Sequence, residues 1–385
     1  MQAKSALPIL FVVMFLVMIG FGIIIPVLPF YAEEMGASPT ELGLLMAVYS
    51  LMQLIFAPMW GRLSDRIGRK PVMMIGITGL ALSFFIQAIS TQLWMLFAAR
   101  IIGGMLSSAN MPTAMAYVAD ITTEENRGKG MGIVGAAVGL GFVFGPAVGG
   151  IFSKNSLSLP FYLAGISSLI TLILVAILLK ESKQDKSEAA EERQSVWKAF
   201  TPDVSVLFFV QLFISLSLSG LEATFAYFAA ESAGLGSTQL GYIFMIMGFA
   251  GAMVQGGLVG RWTKKYGESA VIQGGMIVSA IGFGLILLVN NFTTAAIYLT
   301  IFGIGNGVIR PSVSSLLTKI STSGHGSSTG LLSSFDSLGR IIGPVLGGWL
   351  FSITIGLPYI SGVLLTVVAF VLFLGFRAKA KQTNI

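Results

Sequence analysis

The chain has 385 residues, of which 55% are hydrophobic and only 10% are charged, and its mean hydropathy is +0.85. A soluble domain of this length would carry about a quarter charged residues, so the composition excludes a water-soluble enzyme or binding domain. Cysteine is absent and His325 is the only histidine, which excludes disulfides and thiolate or multi-histidine metal sites. We therefore expect a polytopic membrane protein without a metal.

Apolar runs of about 20 residues, long enough to cross a bilayer as a helix, recur along the chain. Their apolarity is continuous rather than alternating, which predicts helices and not the strands of an outer-membrane barrel. The first run is too long for a signal-peptide core, so we expect it to be a membrane span. We predict twelve spans, near residues 7–32, 42–60, 72–92, 94–118, 131–152, 159–180, 203–229, 237–259, 269–290, 293–318, 328–352 and 356–376.

The basic residues predict the orientation of these spans. If the N-terminus is cytoplasmic, almost every Lys and Arg outside the spans falls on the cytoplasmic side, and only Lys154 falls on the other. This is the positive-inside bias of membrane proteins, and it explains the net charge of +6 without a nucleic-acid partner. We expect a multi-pass protein of the cell membrane, surrounded by the lipid bilayer, with both termini in the cytoplasm.

The turn between spans 2 and 3, "GRLSDRIGRKPV" at 61–72, concentrates the scarce charge. Its cations anchor the turn in the cytoplasm. We expect Gly61 and Gly68 to let the chain turn tightly, and Pro71 suits the first turn of span 3. Asp65 gains nothing from the positive-inside bias, so topology leaves this carboxylate unexplained.

Five ionisable residues fall inside predicted spans, where charge is costly and usually faces a cavity or a partner. They are Arg100, Glu222, Arg310, Asp336 and Arg340. Asp336 and Arg340 share one helix face and can form a pair that is either functional or purely structural. Glu222 has no partner in its own helix. In a partly wet cavity it can exchange protons near neutral pH and attract a cationic substrate, or it can be a hydrogen-bonded packing residue.

Span 5 is rich in glycine around a proline, in "GLGFVFGPAVGG" at 139–150. Pro146 predicts a kink, while Gly145 and Gly149 leave a smooth surface for close helix contact. The pattern fits tight packing alone, and it also fits a rigid joint that seals one face of a cavity.

Methionine, aromatic and amide side chains are candidates for an adaptable cavity wall. The same pattern is also typical of core or lipid-facing residues. The candidates of this kind are Met18, Tyr49, Gln53, Phe225 and Asn306.

The second half of the chain repeats the first. Gly61 and Gly68 are matched by Gly260 and Gly267, and "GPAVGGIF" at 145–152 is matched by "GPVLGGWL" at 343–350, an offset of about 198 residues. Parallel repeats of six spans are typical of transporters. We predict an all-α protein with two pseudo-symmetric bundles. Its segments are an N-terminal six-helix bundle at 1–180, a polar cytoplasmic linker at 181–200 and a C-terminal six-helix bundle at 201–385.

Four motifs, in order and on the predicted spans, resemble those of the major facilitator superfamily over essentially the whole chain. "GFGIIIPVLPFY" is similar to the first-span motif of twelve-span drug/proton antiporters, and "GRLSDRIGRKPV" to the motif between spans 2 and 3. "RIIGGMLSSANMP" is similar to the conserved-arginine motif of span 4, and "GLGFVFGPAVGG" to the span 5 antiporter motif. Within the superfamily, the sequence looks most like bacterial multidrug exporters of the NorA and Bmr type.

The resemblance implies a monomeric exporter of small amphipathic drugs. It would work by alternating access, driven by the proton gradient without a bound cofactor. It implies that Glu222, Asp336 and Arg100 couple transport to protons. The alternative for Arg100 is that it caps helix carbonyls. The substrate cavity would include Glu222, Arg310 and Arg340 beside the five residues of the adaptable wall.

The resemblance also implies a conformational switch. Asp65 should meet the N-terminus of span 11 near Ser327 and Ser328 and a basic residue of the next cytoplasmic loop, Arg127. A carboxylate is favoured at a helix N-terminus, so this contact would latch the two halves on the inner side. The expected switch residues are Asp65, Arg66, Gly61, Arg127, Gly145, Pro146 and Gly149.

Two positions depart from the pattern of these exporters. Gly307 stands where the relatives carry an acid, and Arg340 stands where a neutral polar residue is usual. Both changes make the C-terminal cavity less acidic and argue against strongly cationic substrates.

Other functions remain open. A narrow exporter of one compound, such as tetracycline or a metabolite, has the same motifs. A nutrient symporter is opposed by the span 5 pattern. A channel, a receptor or a membrane enzyme is a further class, and the sequence contains no Walker loop and no nucleophile–base constellation that would indicate an enzyme.

Overall fold

The computed structural model describes residues 3–182, 200, 202–321 and 325–382, and within these ranges it contains helices and turns but no strand. The helices are α1 (Ala3–Glu34), α2 (Pro39–Ile67), α3 (Arg69–Ala88), α4 (Leu93–Ser107), α5 (Asn110–Ile121), α6 (Glu124–Ser153), α7 (Leu159–Leu178), α8 (Pro202–Ala233), α9 (Ser237–Met253), a π-helical segment (Val254–Val259), α10 (Gly260–Tyr266), α11 (Glu268–Ile286), α12 (Phe292–Ile320), α13 (His325–Ile353) and α14 (Leu357–Gln382). The predicted linker at 181–200 lies outside the described residues, apart from 181, 182 and 200.

Each predicted span corresponds to a helical segment, so the predicted all-α, twelve-span architecture is confirmed. Ten segments of the described chain are long and apolar enough to cross a membrane. The remaining two spans are α13 and the pair α4–α5. Most helices extend several residues beyond the predicted apolar core, because polar residues at a membrane surface can continue a helix that apolar residues begin.

Span 4 is interrupted between α4 and α5, at Ser108 and Ala109. Pro112 has no N–H, so the carbonyl of Ser108 loses its partner four residues later along the helix. The interruption buries Asn110, whose side-chain atoms have no hydrogen-bond partner in the described structure. The predicted conserved-arginine motif therefore spans a broken helix rather than a continuous one.

The turn between α2 and α3 corrects one prediction. Gly68 has φ +108°, a backbone conformation that favours glycine, and its expected role in the turn is confirmed. Gly61, by contrast, lies inside α2, which continues to Ile67, so its predicted role in the turn is wrong. The second half has the same geometry, since Gly267 has φ +81° between α10 and α11.

The chain forms two compact units. The first contains the described residues of Met1–Ala37, Val48–Glu188 and Gly236–Met245. The second contains those of Ser38–Ala47, Ala189–Leu235 and Ile246–Ile385. The first turns of α2 thus pack in the second unit and the first turns of α9 in the first unit, and these two segments are related by the same offset of about 198 residues as the motif repeat.

Glycines allow close helix contacts in each unit. In the first unit, a Cβ on Gly145 would lie 2.6 Å from the Cα of Gly22, so α6 and α1 touch backbone to backbone. In the second unit, a Cβ on Gly347 would lie 2.9 Å from the Cα of Gly220, which brings α13 equally close to α8. This contact between α8 and α13 positions the site described next.

Candidate functional site

A cavity of about 490 Å³ lies in the second unit. It is bounded by α8, the π-helical segment, α12 and α13, and it mixes apolar, amide, hydroxyl and charged side chains. Its lining residues are Gln211, Ile214, Ser215, Leu218, Gln255, Asn306, Gly307, Arg310, Pro311, Ser314, Asp336 and Arg340. Three residues predicted from the scarcity of charge, Arg310, Asp336 and Arg340, therefore meet at one site.

Asp336 is the centre of this group. Its Oδ1 accepts hydrogen bonds from Gln211 Nε2, at 2.8 Å, and from Ser215 Oγ. Its Oδ2 lies 3.3 Å from Arg340 Nε and 3.4 Å from Arg310 Nη2. The predicted pairing of Asp336 with Arg340 is confirmed, and a second arginine shares the same oxygen.

The two arginines differ from Asp336 in exposure. The Asp336 side chain is 10% exposed, while those of Arg310 and Arg340 are 55% and 43% exposed. The carboxylate is thus sealed in the wall, and the guanidinium groups extend from it toward the open volume. Positive charge, not negative charge, is what the cavity presents.

Glu222 lies on the face of α8 that lines the cavity, but it is not itself one of the lining residues. Gln211, Ser215, Leu218 and Glu222 follow a spacing of four, three and four residues, which keeps them on one side of a helix. Glu222 is half-buried, and its charged neighbours are Arg340 and Asp336. In the part of the chain that the structure describes, it forms no ion pair within 4.0 Å.

A side-chain hydrogen bond joins the π-helical segment to α12, in addition to apolar packing between the two elements. Pro311 cannot donate to the carbonyl of Gly307 four residues earlier, and Gln255 Nε2 donates to that carbonyl at 2.9 Å instead. A π-turn inserts an extra residue into a helix and is frequent at functional sites. Here it brings Gln255 to the cavity wall.

The other predicted cavity residues of this unit have different positions. Asn306 lines the cavity, and its Nδ2 is buried without a hydrogen-bond partner in the described structure. The ring of Phe225 is fully buried in α8 and is not part of the cavity lining. Phe225 as a substrate contact stays a prediction.

Arg100, Tyr49 and Gln53 form a second polar group, in the first unit. The guanidinium of Arg100 lies 5.4 Å from the centre of the Tyr49 ring, within cation–π range. The Tyr49 hydroxyl shares a 2.7 Å hydrogen bond with Ser107 and accepts one from Gln53 Nε2 at 3.2 Å. Arg100 is buried and its Nε has no hydrogen-bond partner in the described residues, so the ring face is the feature that holds this charge.

The span 5 residues pack against α1. Gly145 and Gly149 face Gly22 and Ile23, and Gly141 faces Met18. Pro146 lies inside α6, which runs unbroken to Ser153. The expected tight packing is confirmed. Met18 is buried between the two helices, and its contact with substrate, like the role of Gly145, Pro146 and Gly149 in a switch, stays a prediction.

The charged turn forms its own network. Arg69 Nη1 lies 2.6 Å from Asp65 Oδ1, and Arg69 Nε lies 2.9 Å from Asp120 Oδ2. Asp65 is exposed and Asp120 is not, with 64% and 13% of their side chains accessible. Glu181 accepts the backbone N–H groups of Arg69 and Lys70, at 2.8 and 3.1 Å, and so caps α3.

The two basic switch candidates, Arg66 and Arg127, lie on α2 and α6. Arg66 is exposed in the last turn of α2. Arg127 lies in the first turns of α6, and its Nε is buried without a hydrogen-bond partner among the described residues. The latch between Asp65, Arg127 and the start of α13 stays a prediction.

Sequence reasoning missed the uncharged members of these groups. Gln211, Ser215 and Gln255 surround the arginines and Asp336, and Ser107 supports Tyr49. The only feature of the sequence that pointed to Gln211 and Ser215 was their place on the same helix face as Glu222. Without a neighbouring charge, a serine in a membrane helix is too common to single out.

The family model of the Major Facilitator Superfamily matches residues 10–268 and, in a second overlapping match, 207–384. The chain is 30% identical over 383 residues to Multidrug resistance protein 1 of Bacillus subtilis, covering 99% of this chain and 98% of that protein. It is 28% identical over 385 residues to Quinolone resistance protein NorA of Staphylococcus aureus, covering 98% of each.

Solved structures agree on the fold. A bacterial homologue of the human lysosomal transporter Spinster superposes with a TM-score of 0.80 at 16% identity, over 97% of each chain. The nucleoside transporter NupG superposes with a TM-score of 0.79 at 14% identity, over 97% of this chain and 98% of that one. The expected multi-pass protein of the cell membrane is thereby confirmed, and the chain belongs to the major facilitator superfamily.

Proposed function

We propose that this protein is a proton-coupled antiporter that exports small amphipathic compounds from the cell. The observation that carries the proposal is the charged cavity of the second unit together with the carboxylate of Glu222, which lies one helical turn beyond the lining residue Leu218 and has Arg340 and Asp336 as charged neighbours. Near full-length similarity to proteins named for multidrug and quinolone resistance supports export as the direction of transport. The transporter needs no cofactor, works as a monomer and is not an enzyme.

Glu222 is the residue that we assign to the proton. Asp336 already accepts from Gln211 and Ser215 and pairs with two arginines, so its charge is balanced by fixed partners. Glu222 has Arg340 and Asp336 only as longer-range neighbours. A carboxylate in this position can be neutralised by a proton or by a cationic group of the substrate, and competition between the two couples their movements in opposite directions.

The test of the function is dye export. Cells that produce the protein should extrude ethidium, and a protonophore should stop the extrusion. In proteoliposomes, an imposed pH gradient should drive the same movement without ATP. Movement of ethidium in the same direction as the protons would contradict a proton antiporter. So would export from cells that continues unchanged when the protonophore is added.

The assignment of the proton is tested by Glu222→Gln. This substitution keeps the size of the side chain and removes its titration, so export driven by a pH gradient should fall to background. The matched control is Glu231→Gln, which changes an exposed carboxylate on the same helix and should leave export intact. Unchanged export by the Glu222→Gln variant would remove this residue from the proton path.

A further inference from the structure

The cavity of the second unit holds more positive charge than its carboxylate balances. Arg310 Nη2 and Arg340 Nε both lie within 3.4 Å of the same oxygen, Asp336 Oδ2. The two nitrogen atoms are therefore less than about 7 Å apart, and one carboxylate faces two guanidinium groups. Together, Arg310, Arg340 and Asp336 leave a single positive charge at the wall.

Most hydrogen-bond donors of the two arginines are also uncommitted. A guanidinium has five N–H donors in a planar fork. Arg340 uses Nε toward Asp336, and Arg310 uses Nη2. In the described chain, no other hydrogen bond or ion pair engages either guanidinium, and both side chains are about half exposed to the cavity. The remaining donors are free for a ligand.

We infer that Arg310 and Arg340 form a subsite for a carboxylate, and that the protein exports amphipathic compounds that carry one. This inference rests on the proposed function and names its substrate class. Guanidinium groups bind planar carboxylates through paired hydrogen bonds. The single unbalanced charge matches a monovalent carboxylate better than a doubly charged phosphate.

Glu222 sets what the other end of such a compound should be. It lies seven residues beyond Ser215 on α8, which is roughly 10 Å along a helix axis. An ionised Glu222 at that distance favours a protonated amine, so the preferred ligand is a zwitterion with its carboxylate at the arginines and its amine toward Glu222. A proton on Glu222 removes the attraction for the amine, so proton and substrate still compete for this carboxylate, as the proposed antiport requires.

The experiment compares two ligands that differ in one charge. Purified protein in detergent is titrated with a fluorescent quinolone that carries both an amine and a carboxylate, and with the methyl ester of the same compound. Fluorescence anisotropy reports binding without any gradient. The acid should bind about tenfold more tightly than the ester, the factor expected for a charge-assisted hydrogen bond.

Three variants assign the difference to the arginines. Arg340→Gln should weaken binding of the acid about tenfold and leave binding of the ester unchanged. Arg340→Lys keeps the charge but loses the planar fork of donors, so its affinity for the acid should lie between those of the native protein and Arg340→Gln. Asp336→Asn frees both guanidinium groups from their carboxylate, so it should bind the acid several-fold more tightly. Arg261→Gln removes an exposed charge of α10, outside the cavity, and should change neither ligand.

Equal binding of acid and ester by the native protein overturns the inference, even if proton-driven ethidium export is intact. If Arg340→Gln weakened the binding of acid and ester equally, the substitution would have damaged the fold. The binding of the acid by Asp336→Asn would then decide whether the subsite exists. Weaker or unchanged binding of the acid by Asp336→Asn overturns the subsite. Conversely, acid-selective binding without proton-driven export of either ethidium or the acid would contradict the proposed function and leave the carboxylate subsite standing.

Discussion

At the residue scale, Gly68 determines both the turn between α2 and α3 and the capping of α3. Its φ of +108° ends α2 and starts α3. A Cβ at this position would also lie 2.5 Å from Glu181 Oε2, the carboxylate that accepts the first N–H groups of α3. Glycine is therefore required both for the backbone conformation and for the space in which Glu181 caps the helix.

Gly68→Ala should destabilise the protein by about 1–3 kcal/mol, because a side chain at positive φ costs about 1–2 kcal/mol and displacing the cap costs up to about 1 more. Gly61→Ala is the matched control in the same motif. Gly61 is helical with nothing within 4 Å of its missing Cβ, so alanine there should be neutral or stabilising by up to about 1 kcal/mol. Thermal unfolding in detergent measures both, and equal midpoints would contradict the difference in role.

The same scale shows which site residues a sequence can predict. Charge inside a membrane is rare enough that Arg310, Asp336 and Arg340 stand out by type alone. Gln211 and Ser215 bind the same carboxylate, yet amides and hydroxyls are common in membrane helices and carry no such signal. The charged centre of the site was therefore predictable, and the uncharged shell that holds Asp336 was not.

At the element scale, the length of an apolar run predicts a membrane span but not the breaks and π-turns within its helix. The interruption at Ser108 and the π-helical segment Val254–Val259 both lie inside runs that read as continuous spans. Pro112 is a visible cause of the first. The second is a shift in the backbone hydrogen bonds of the run VQGGLV, and no residue type in that run requires it. Its consequence, the contact of Gln255 with Gly307, depends on the neighbouring helix and so on tertiary packing.

The contact of α6 with α1 gives an element-scale prediction. A Cβ on Gly145 would lie 2.6 Å from Gly22 Cα, and backbone cannot move aside as a flexible side chain can. Gly145→Ala should therefore cost about 1–3 kcal/mol, the usual range for overpacking. The free energy of unfolding in detergent, measured by denaturant titration, is the readout.

Gly139→Ala is the control on the same helix, since nothing lies within 4 Å of its missing Cβ. Alanine is favoured over glycine in a helix interior by about 0.5–1 kcal/mol, so this variant should be slightly more stable than the native protein. If both variants lost the same stability, the helix itself and not its contact with α1 would be the sensitive feature.

At the scale of the whole molecule, the internal repeat is the strongest prediction from sequence. A Cβ on Gly241 would lie 2.5 Å from the carbonyl oxygen of Pro146. A Cβ on Gly43 would lie similarly close to the carbonyl oxygen of Pro344. Each contact lies within one compact unit and has a counterpart in the other, at an offset of about 198 residues. Motif matching found the prolines, but not the glycines of α2 and α9, because single glycines match too often by chance.

The latch predicted for Asp65 belongs to this scale, because it would join residues of the two units. Asp65 is exposed and pairs with Arg69, which also pairs with Asp120. Exposed ion pairs contribute little, about 0–1 kcal/mol, so Asp65→Asn should leave stability nearly unchanged. A marked loss of ethidium export in a stable Asp65→Asn variant would therefore indicate a role in the transport cycle.

Cross-linking tests the latch directly, since the native chain has no cysteine to interfere. If Asp65 approaches the start of α13 during transport, cysteines replacing Asp65 and Ser327 should form a disulfide under mild oxidation, because their Cα atoms would come within about 7 Å. Ethidium export should stop and return after reduction. Cysteines replacing Asp65 and Ser352 should not cross-link, because Ser352 lies roughly 37 Å farther along the same helix. Failure of the Ser327 pair to cross-link during active export would exclude this latch and leave Asp65 as a solvated partner of Arg69.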